Sequence, residues 1–182
     1  MRPTTISVLT AFFLWSGPPL ASVLAADAPA TFKVSEFTFT RPAAWEWVET
    51  AGVMRKAQLK VTDAKTKETG EVIFFFFGAG QGGGVLANVD RWLGMFQEPR
   101  DELNAKTDKA TVGTRTVTYV EAEGTYLSGP PGGAKAPMPN HVLLGAIVEN
   151  DAGNVFVRLT GPKALAKASK AEFRKMVESG LK

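Results

Sequence analysis

The sequence predicts an α+β domain, built on a mostly antiparallel sheet of about six to eight strands with two main helices. Three features of the 182-residue chain lead to this prediction. Most strand-like segments follow one another through short polar turns, as strands do in hairpins. One run is apolar on both sides, which is typical of a strand at the centre of a sheet. Only two segments carry apolar residues at helical spacing.

Short strands are predicted at the start of the domain. Phe37–Phe39 alternates between apolar and polar side chains, and a proline at Pro42 ends the pattern soon afterwards. An extended Trp45–Val48 would place both of its tryptophans on one side. Met54–Val61 also alternates, so we expect a strand with one buried and one solvated face.

The most apolar run of the chain, Glu71–Phe77, is the predicted central strand. It follows Asp63–Gly70, a charged segment ending in glycine that predicts a hairpin connection. The apolar residues of Glu71–Phe77 point to both faces of the sheet. Both faces must therefore be covered by helices or loops at this strand.

The first helix is predicted over Val85–Phe96. Its apolar residues recur at helical spacing and form one face: Val85, Val89, Trp92, Leu93 and Phe96. Asn88, Asp90 and Arg91 are expected to lie mostly away from that face. The segment Gln97-Glu98-Pro99 is predicted to end the helix.

Two further hairpins are predicted in the second half of the chain. Lys106–Val112 and Arg115–Tyr126 are strand-like and are joined by a glycine-containing turn. His141–Glu149 and Asn154–Thr160 form the second hairpin, connected by a turn that ends in Gly153.

Between these hairpins, Ser128–Asn140 holds four prolines and three glycines, so we expect a loop without regular structure. The last helix is predicted to open at Pro162 and to stop at Gly180. Its apolar face consists of Leu165, Phe173, Met176 and Val177.

The N-terminus predicts an export signal. Arg2 supplies a positive start, Ile6–Trp15 is apolar, and Ser16–Pro19 breaks any helix. The small residues near Ala25 predict cleavage after that residue. The apolar core is too short to span a membrane, which favours a cleaved signal over an anchor. The alternative is a membrane anchor or a buried N-terminal helix. We therefore divide the chain into a signal peptide at 1–25, a lead at 26–36 and one domain at 37–182, and expect a periplasmic or secreted product that does not span a membrane.

Composition excludes several kinds of function. Without its predicted signal the chain carries 20 basic and 18 acidic residues, and the basic residues are dispersed, so nucleic acid is not a predicted partner. The absence of cysteine removes disulfides and thiolate chemistry. With His141 as the single histidine, no metal site is predicted.

The glycine-rich stretch after the central strand has two interpretations. Gly78, Gly80 and Gly83 match the spacing G-x-G-x-x-G between a predicted strand and a predicted helix, as in dinucleotide-binding loops. That fingerprint belongs to a unit of parallel strands with an acidic residue about twenty positions later. Asp101 and Glu102 lie near that distance but follow a proline in a polar stretch. We therefore predict no cofactor and interpret the glycines as a strand-to-helix connection.

Catalysis is not predicted, although two arrangements leave an exported hydrolase open as the alternative. His141 could be combined with Ser128 and Asp151, but no G-x-S-x-G motif supports a nucleophile. Glu121 and Glu123 would lie about 7 Å apart on one strand face. That separation by itself names no reaction, and a solvated strand face is the expected environment.

The order of these features resembles the PsbP-like group of small exported α/β/α sandwich domains. The resemblance covers most of residues 37–181, and its motifs are mainly core and turn residues. Those residues are Phe37, Phe39, Pro42, Trp45, Trp92, Phe96 and the closing segment Phe173–Ser179. It implies an α/β/α sandwich that acts as a binding or accessory domain without shared catalytic residues.

The chain is also similar to uncharacterised secreted bacterial proteins in which a glycine loop precedes Asn-x-Asp-Arg-Trp. We accordingly predict a non-catalytic domain that binds an unknown cell-envelope protein or a small ligand. The predicted ligand-binding residues are Gly80, Gly82, Gly83, Asn88, Arg91 and Trp92. A structural clamp is the alternative role for Arg91, which could reach acidic groups of the sheet or the loops.

Overall fold

The computed structural model describes residues 28–50, 52–130 and 132–182. The first strands of this region are β1 (Thr31–Val34), β2 (Phe37–Thr40), β3 (Glu46–Val48), β4 (Arg55–Thr62) and β5 (Thr69–Phe76). They are followed by α1 (Val85–Leu93), β6 (Lys106–Val112), β7 (Arg115–Ser128), β8 (Ala136–Val148), β9 (Val155–Pro162) and α2 (Lys163–Ser179). A 3-10 turn, Arg100–Glu102, lies between α1 and β6.

A seven-stranded sheet with the order β3-β4-β5-β9-β8-β7-β6 forms the middle layer. Every neighbouring pair in it is antiparallel. Strands β1 and β2 form a separate two-stranded hairpin. The predicted α+β class, with a mostly antiparallel sheet and two main helices, is confirmed.

The predicted signal peptide lies outside the described residues. Within the described part, no helix combines the length and apolar character needed to cross a membrane. The segment 26–36 was predicted without a strand, but β1 lies inside it and pairs with β2 through Phe32 opposite Phe39. The pattern was missed because β1 is short and its stability depends on packing of those two rings against the sheet.

Strand β5 occupies the interior of the sheet, as its apolar sequence predicts. It pairs with β4 on one side and β9 on the other. Val72, Ile73 and Phe74 are fully buried, although they point to alternate faces. The sheet is therefore covered on both sides at this strand.

One face of the sheet is covered by α2 together with the β1–β2 hairpin. Phe173, Met176 and Val177 of α2 pack there with Phe32 and Phe39 of the hairpin. The sheet contributes the residues of this face from its inner strands: Leu59, Val72, Phe74, Leu144, Val157 and Leu159. Gly180 ends α2 as predicted, and a Cβ there would lie 2.6 Å from the Phe39 ring.

The opposite face is covered by the shorter helix α1, which packs on β7 and β8. Val89, Trp92 and Leu93 of α1 form a second apolar cluster with Phe96 and the sheet. The helix ends at Leu93, whereas the pattern predicted helix to Phe96. The chain turns at Gly94 and brings Phe96 into a bridge with Tyr126 of β7. Phe96 fits the helical spacing of apolar residues because it is buried in the same cluster as α1, although it lies outside the helix.

The proline-containing segment is not wholly irregular, which corrects the sequence prediction for Ser128–Asn140. Ala136 to Asn140 are the first residues of β8, and Ala136 pairs with Ser128 of β7. Strand β9 reaches only as far as the pairing of His141 with Pro162. Pro137 and Pro139 therefore lie in a part of β8 that has no β9 neighbour, where a missing N–H breaks no ladder on that side.

Candidate functional site

Between β5 and α1 the glycine loop, residues 78–84, turns through an unusual series of backbone angles. Gly78, Gly80, Gly82 and Gly83 all have positive φ, from 67° to 96°. At Gly82 a Cβ would also lie 2.7 Å from the Phe77 ring and 2.9 Å from the Phe156 ring. The glycines therefore permit both the turn and a close approach to the sheet, as the interpretation of a strand-to-helix connection expects.

Asn88 ties the glycine loop to the first turns of α1. Its side-chain amide donates to the carbonyl oxygens of Gly82 at 2.8 Å and Gly84 at 2.9 Å. The side chain is 1% exposed, so the expectation that it lies away from the buried face is wrong. Helical spacing could not show this burial, because the cover comes from the loop folding back onto the helix.

Among the described residues, Arg91 forms no salt bridge with an acidic group of the sheet or the loops. It donates to Oδ1 of Asn88, while its neighbour Asp90 pairs with Arg100. Burial and the positive charge of Arg158 lower the pKa of Arg91. Arg158 of β9 contacts Met95, which closely follows α1, so both arginines lie on the same side of the sheet.

Trp92 supports this region from within the apolar cluster. Its side chain is almost fully buried and rests directly on the backbone of β8. A Cβ at Gly145 would lie 2.2 Å from the indole ring, so the ring occupies the space that a side chain would fill. The glycine in β8 explains how a bulky helix residue packs so near the sheet.

Arg158 is the residue of this site that the sequence analysis missed. It lies in β9 within a run of apolar residues, Val155 to Leu159, and is 9% exposed. A single charged residue in a strand that is otherwise apolar on both faces was the available signal. The pairing of β9 with β5 and β8 brings it to the face that carries α1, alongside Phe156 and Thr160.

The topology of the sheet argues against the interpretation of the glycine loop as a nucleotide-binding loop. Strands β5 and β6 flank α1 and are parallel to each other, but β9, β8 and β7 lie between them. A dinucleotide-binding unit instead joins its strands through a crossover within one parallel sheet. Asp101 and Glu102, which lie about twenty positions after the glycines, are in the exposed 3-10 turn.

The residues considered for a hydrolase are spread over the sheet. His141 is opposite Gly124 of β7, four residues from Ser128, which corresponds to about 13 Å along the strand. Asp151 lies in the turn beyond the other end of β8, roughly 23 Å from His141. The imidazole Nδ1 is 2.9 Å from the carbonyl oxygen of Pro139. The structure does not assemble the three side chains.

Glu121 and Glu123 face α2 and are not on a solvated face, which corrects the expected environment. Lys170 lies 2.6 Å from Glu121, and both Lys163 and Lys167 pair with Glu123. Hydrogen bonds from these two lysines lower the pKa of Glu123. The carboxylates therefore serve to attach α2 to β7. Across residues 28–182, leaving out 51 and 131, no three His, Asp or Glu side chains gather as a metal site would require.

A groove lies on the face that α1 covers only in part. It is a cavity of about 360 Å³ beside β4, β5 and β9, and we refer to it below as the groove. Its lining includes Gln58, Lys60, Glu71, Thr160 and His141. Thr160 follows Arg158 by two residues in β9, so both side chains belong to the same face. Neither Arg158 nor Arg91 lines the groove itself, and Arg158 is linked to it through Thr160.

A smaller cavity of about 220 Å³ lies on the opposite side, between α2 and the β6–β7 edge. Arg174 lies over the Tyr119 ring at 4.1 Å and pairs with Asp108. The Tyr119 hydroxyl donates to Glu178 at 3.3 Å. Burial first, and then the negative charge of Glu178, raises the pKa of Tyr119 well above its usual range. Arg174 pairs with Asp108 and Lys170 with Glu121 at this cavity, whereas Arg91 and Arg158 form no salt bridge among the described residues.

Comparison with known structures confirms the PsbP-like fold. The chain is similar to the solution structure of cyanobacterial PsbP from Synechocystis sp. PCC 6803, with a TM-score of 0.50 and 13% identity. The match covers 89% of this chain and 98% of that chain. A protein of unknown function from Pseudomonas aeruginosa matches with a TM-score of 0.45 and 13% identity, over 82% of this chain and 93% of that chain. No family model and no curated protein matches the sequence.

Proposed function

We propose that the protein is an exported, non-catalytic binding domain that takes a small ligand in the groove beside α1. The observation that supports this most directly is the unequal covering of the two faces of the sheet. Helix α2, with 17 residues, and the β1–β2 hairpin cover one face, whereas α1 has nine residues and packs on β7 and β8. The volume of the groove lies within the range of ligand cavities, about 300–1,000 Å³.

Export to the periplasm or beyond is part of this proposal, and its support is the pattern of residues 1–25. Within the cell envelope, the partner could be a small ligand or another protein. A concave site with a few polar groups on its floor favours the small ligand, because protein interfaces are generally larger and flatter. Gln58, Lys60, Glu71 and Thr160 supply those polar groups.

A binding role is favoured over hydrolysis by the positions of the candidate reacting groups. Nucleophile and base must approach within hydrogen-bonding distance of each other or of one shared substrate. Ser128 and His141 both line the groove, but they are separated by about 13 Å along the sheet, and Asp151 lies in the turn beyond β8. Glu121 and Glu123 are already paired with lysines of α2.

The proposal is tested by native mass spectrometry of the protein isolated from the cell envelope after expression of the full chain. We expect a mature chain that begins at Ala26, together with a species carrying a bound small molecule. Gln58→Trp, which places a large ring in the groove, should remove the bound species. Lys109→Trp, at an exposed position of β6, is the matched control and should retain it.

Two results would oppose the proposal. An N-terminus still at Met1 in a cytoplasmic fraction would contradict the proposed export. A bound species that persists in Gln58→Trp at the level of the control would exclude the groove as the binding site. Circular dichroism of both variants establishes that they are folded before the comparison is made.

A further inference from the structure

The chemical class of the ligand is suggested by the surroundings of Arg158. Its neighbours across the sheet are Ile73 of β5 and Gly145 of β8, and neither carries charge. Because Trp92 occupies the space above Gly145, Arg158 is enclosed by apolar groups on that side. A guanidinium in such a place has given up its water and needs other partners.

The partners that Arg158 has are weak. Nη1 lies 2.9 Å from the sulfur of Met95, and a thioether is a poor acceptor. The guanidinium carbon is 5.8 Å from the centre of the Phe75 ring. Its Nε is buried and donates no hydrogen bond among the described residues. At least one strong donor of a buried cation is thus left without an acceptor.

A second cation increases this deficit of negative charge. Arg158 donates to Met95, four residues after Arg91, and its positive charge contributes to the lowered pKa of Arg91, whose partner Asn88 is neutral. Within the described part of the chain, neither arginine forms a salt bridge, and Asp90 is engaged by Arg100. Glu71, which lines the groove, stands opposite Thr160 and not opposite Arg158. Among the described residues the two arginines therefore share one region without a salt bridge to a carboxylate, although Glu71 lies diagonally across from Arg158.

We propose that Arg158 and Arg91, which lie beyond the residues that line the groove, bind the oxyanion group of the ligand, a carboxylate or a phosphate. This inference rests on the proposed function and names the chemical class of its ligand. A guanidinium presents parallel N–H donors that match two oxygens of such a group. The bound anion reduces the repulsion between the two cations.

Asn88 acts as a positioning residue in this arrangement. Its amide nitrogen is held by the carbonyl oxygens of Gly82 and Gly84, so its Oδ1 is presented to Arg91 in a fixed orientation. The glycine loop thus contributes by holding the arginine, and its own N–H groups are not required. Phe75 and Met95 flank Arg158 with apolar surface and favour an anion attached to an apolar body.

The inference is tested by titrating the purified mature chain with inorganic phosphate and, separately, with acetate and octanoate. Melting temperature and calorimetry are measured at constant ionic strength with chloride as the balancing salt. We expect a saturable rise in melting temperature of about 5–10 °C at a hundredfold excess over Kd. Tighter binding of octanoate than acetate indicates a carboxylate ligand with an apolar body, whereas a preference for phosphate indicates a phosphate ester.

Variants connect the binding to the two arginines. Arg158→Met keeps the length and apolar stem of the side chain and should abolish the shift. Arg158→Lys retains the charge but loses the fork, and we expect binding about tenfold weaker. Arg91→Gln should weaken binding by a similar factor. Arg174→Gln, on the opposite face, is the matched control and should bind as the unaltered chain does.

The inference is overturned if no probe gives a saturable shift, or if Arg158→Met binds as tightly as the control. Either result would mean that Phe75 and Met95 alone accommodate Arg158. The outcome is separable from that of the groove experiment. Anion binding that depends on Arg158, together with an unaffected bound species in Gln58→Trp, would contradict the proposed groove and leave the oxyanion site in place.

Discussion

Single residues in this protein obtain their properties from contacts that come from distant parts of the chain. Arg174 of α2 lies over Tyr119 of β7, and Glu178 accepts from its hydroxyl. An aromatic ring between a cation and a carboxylate is held firmly in place. Because the ring is also buried, ionisation of Tyr119 would place a second negative charge beside Glu178.

The tyrosine absorbance of the folded protein should therefore contain a late component, which titrates at a higher pH than an ordinary tyrosine does. Since folding raises the pKa of Tyr119, the folded state holds the phenolic proton more tightly than the unfolded chain does. The resulting stability is complete below about pH 10, the usual tyrosine pKa, and is lost as the pH rises above it. An alkaline titration at the tyrosinate band measures this.

Tyr119→Phe should lack the late component, and Tyr126→Phe should retain it. If Tyr119→Phe instead removes a component that titrates near pH 10, the Tyr119 hydroxyl is exposed to solvent, which contradicts the structure. Far-ultraviolet circular dichroism, recorded at each pH, separates titration of the folded protein from alkaline unfolding.

At the scale of an element, the glycine loop shows how one segment serves both the helix and the sheet. Gly84 stands at the start of α1, which has no side-chain cap, and Asn88 holds the preceding turn instead. Gly82 is in contact with rings of β5 and β9. At the other end of the loop, a Cβ at Gly153 would lie 2.4 Å from the Gly78 carbonyl oxygen, so the β8–β9 turn packs against the loop as well.

Alanine substitutions along the loop should separate its two roles. Gly80→Ala meets no atom within 4 Å but has φ +67°, so we expect a loss of about 1–2 kcal/mol in the free energy of unfolding. Gly82→Ala adds a clash with two rings, which should bring the total to about 3 kcal/mol. Urea unfolding measures both values.

Gly84→Ala is the control for this series. Its φ of −74° suits any residue and no atom lies within 4 Å, so its effect should stay within about 1 kcal/mol. Equal losses in Gly82→Ala and Gly84→Ala would show that the contact of the loop with Phe77 and Phe156 does not contribute to stability.

At the scale of the whole molecule, the two layers that cover the sheet differ in size and attachment. Helix α2 is 17 residues long and is joined to β7 by three lysine–glutamate pairs as well as by its apolar face. Helix α1 is nine residues long, begins without a side-chain cap and packs on β7 and β8. Short helices depend on tertiary packing for their stability, and this one has the smaller cluster.

We therefore expect α1 to open locally at a lower free energy than α2. Native-state hydrogen exchange should show amides of α1 exchanging through local opening, while those of α2 exchange near the global unfolding free energy. Saturation with an anion that binds Arg91 should raise the protection of α1 and leave that of α2 unchanged. Equal protection of the two helices in the free protein would contradict this difference.

The sequence alone determined the elements whose side chains repeat at a regular local spacing. The apolar run at β5, the hairpin of β8 with β9, and the apolar face of α2 all follow from periods of two or about four residues. These patterns record which face of an element is buried, so the α+β class and both helices could be predicted. The glycine loop was likewise placed between its strand and its helix.

Only the tertiary structure decided which of these residues meet. Arg158 became part of the candidate site because the register of β9 with β5 and β8 brings it under α1, near Arg91. Asn88 became buried because the glycine loop folds back over it, and the prolines of β8 became strand residues because β9 stops short of them. Long-range register and the ends of neighbouring strands are set by the packing of the whole domain, and the local sequence carries no record of them.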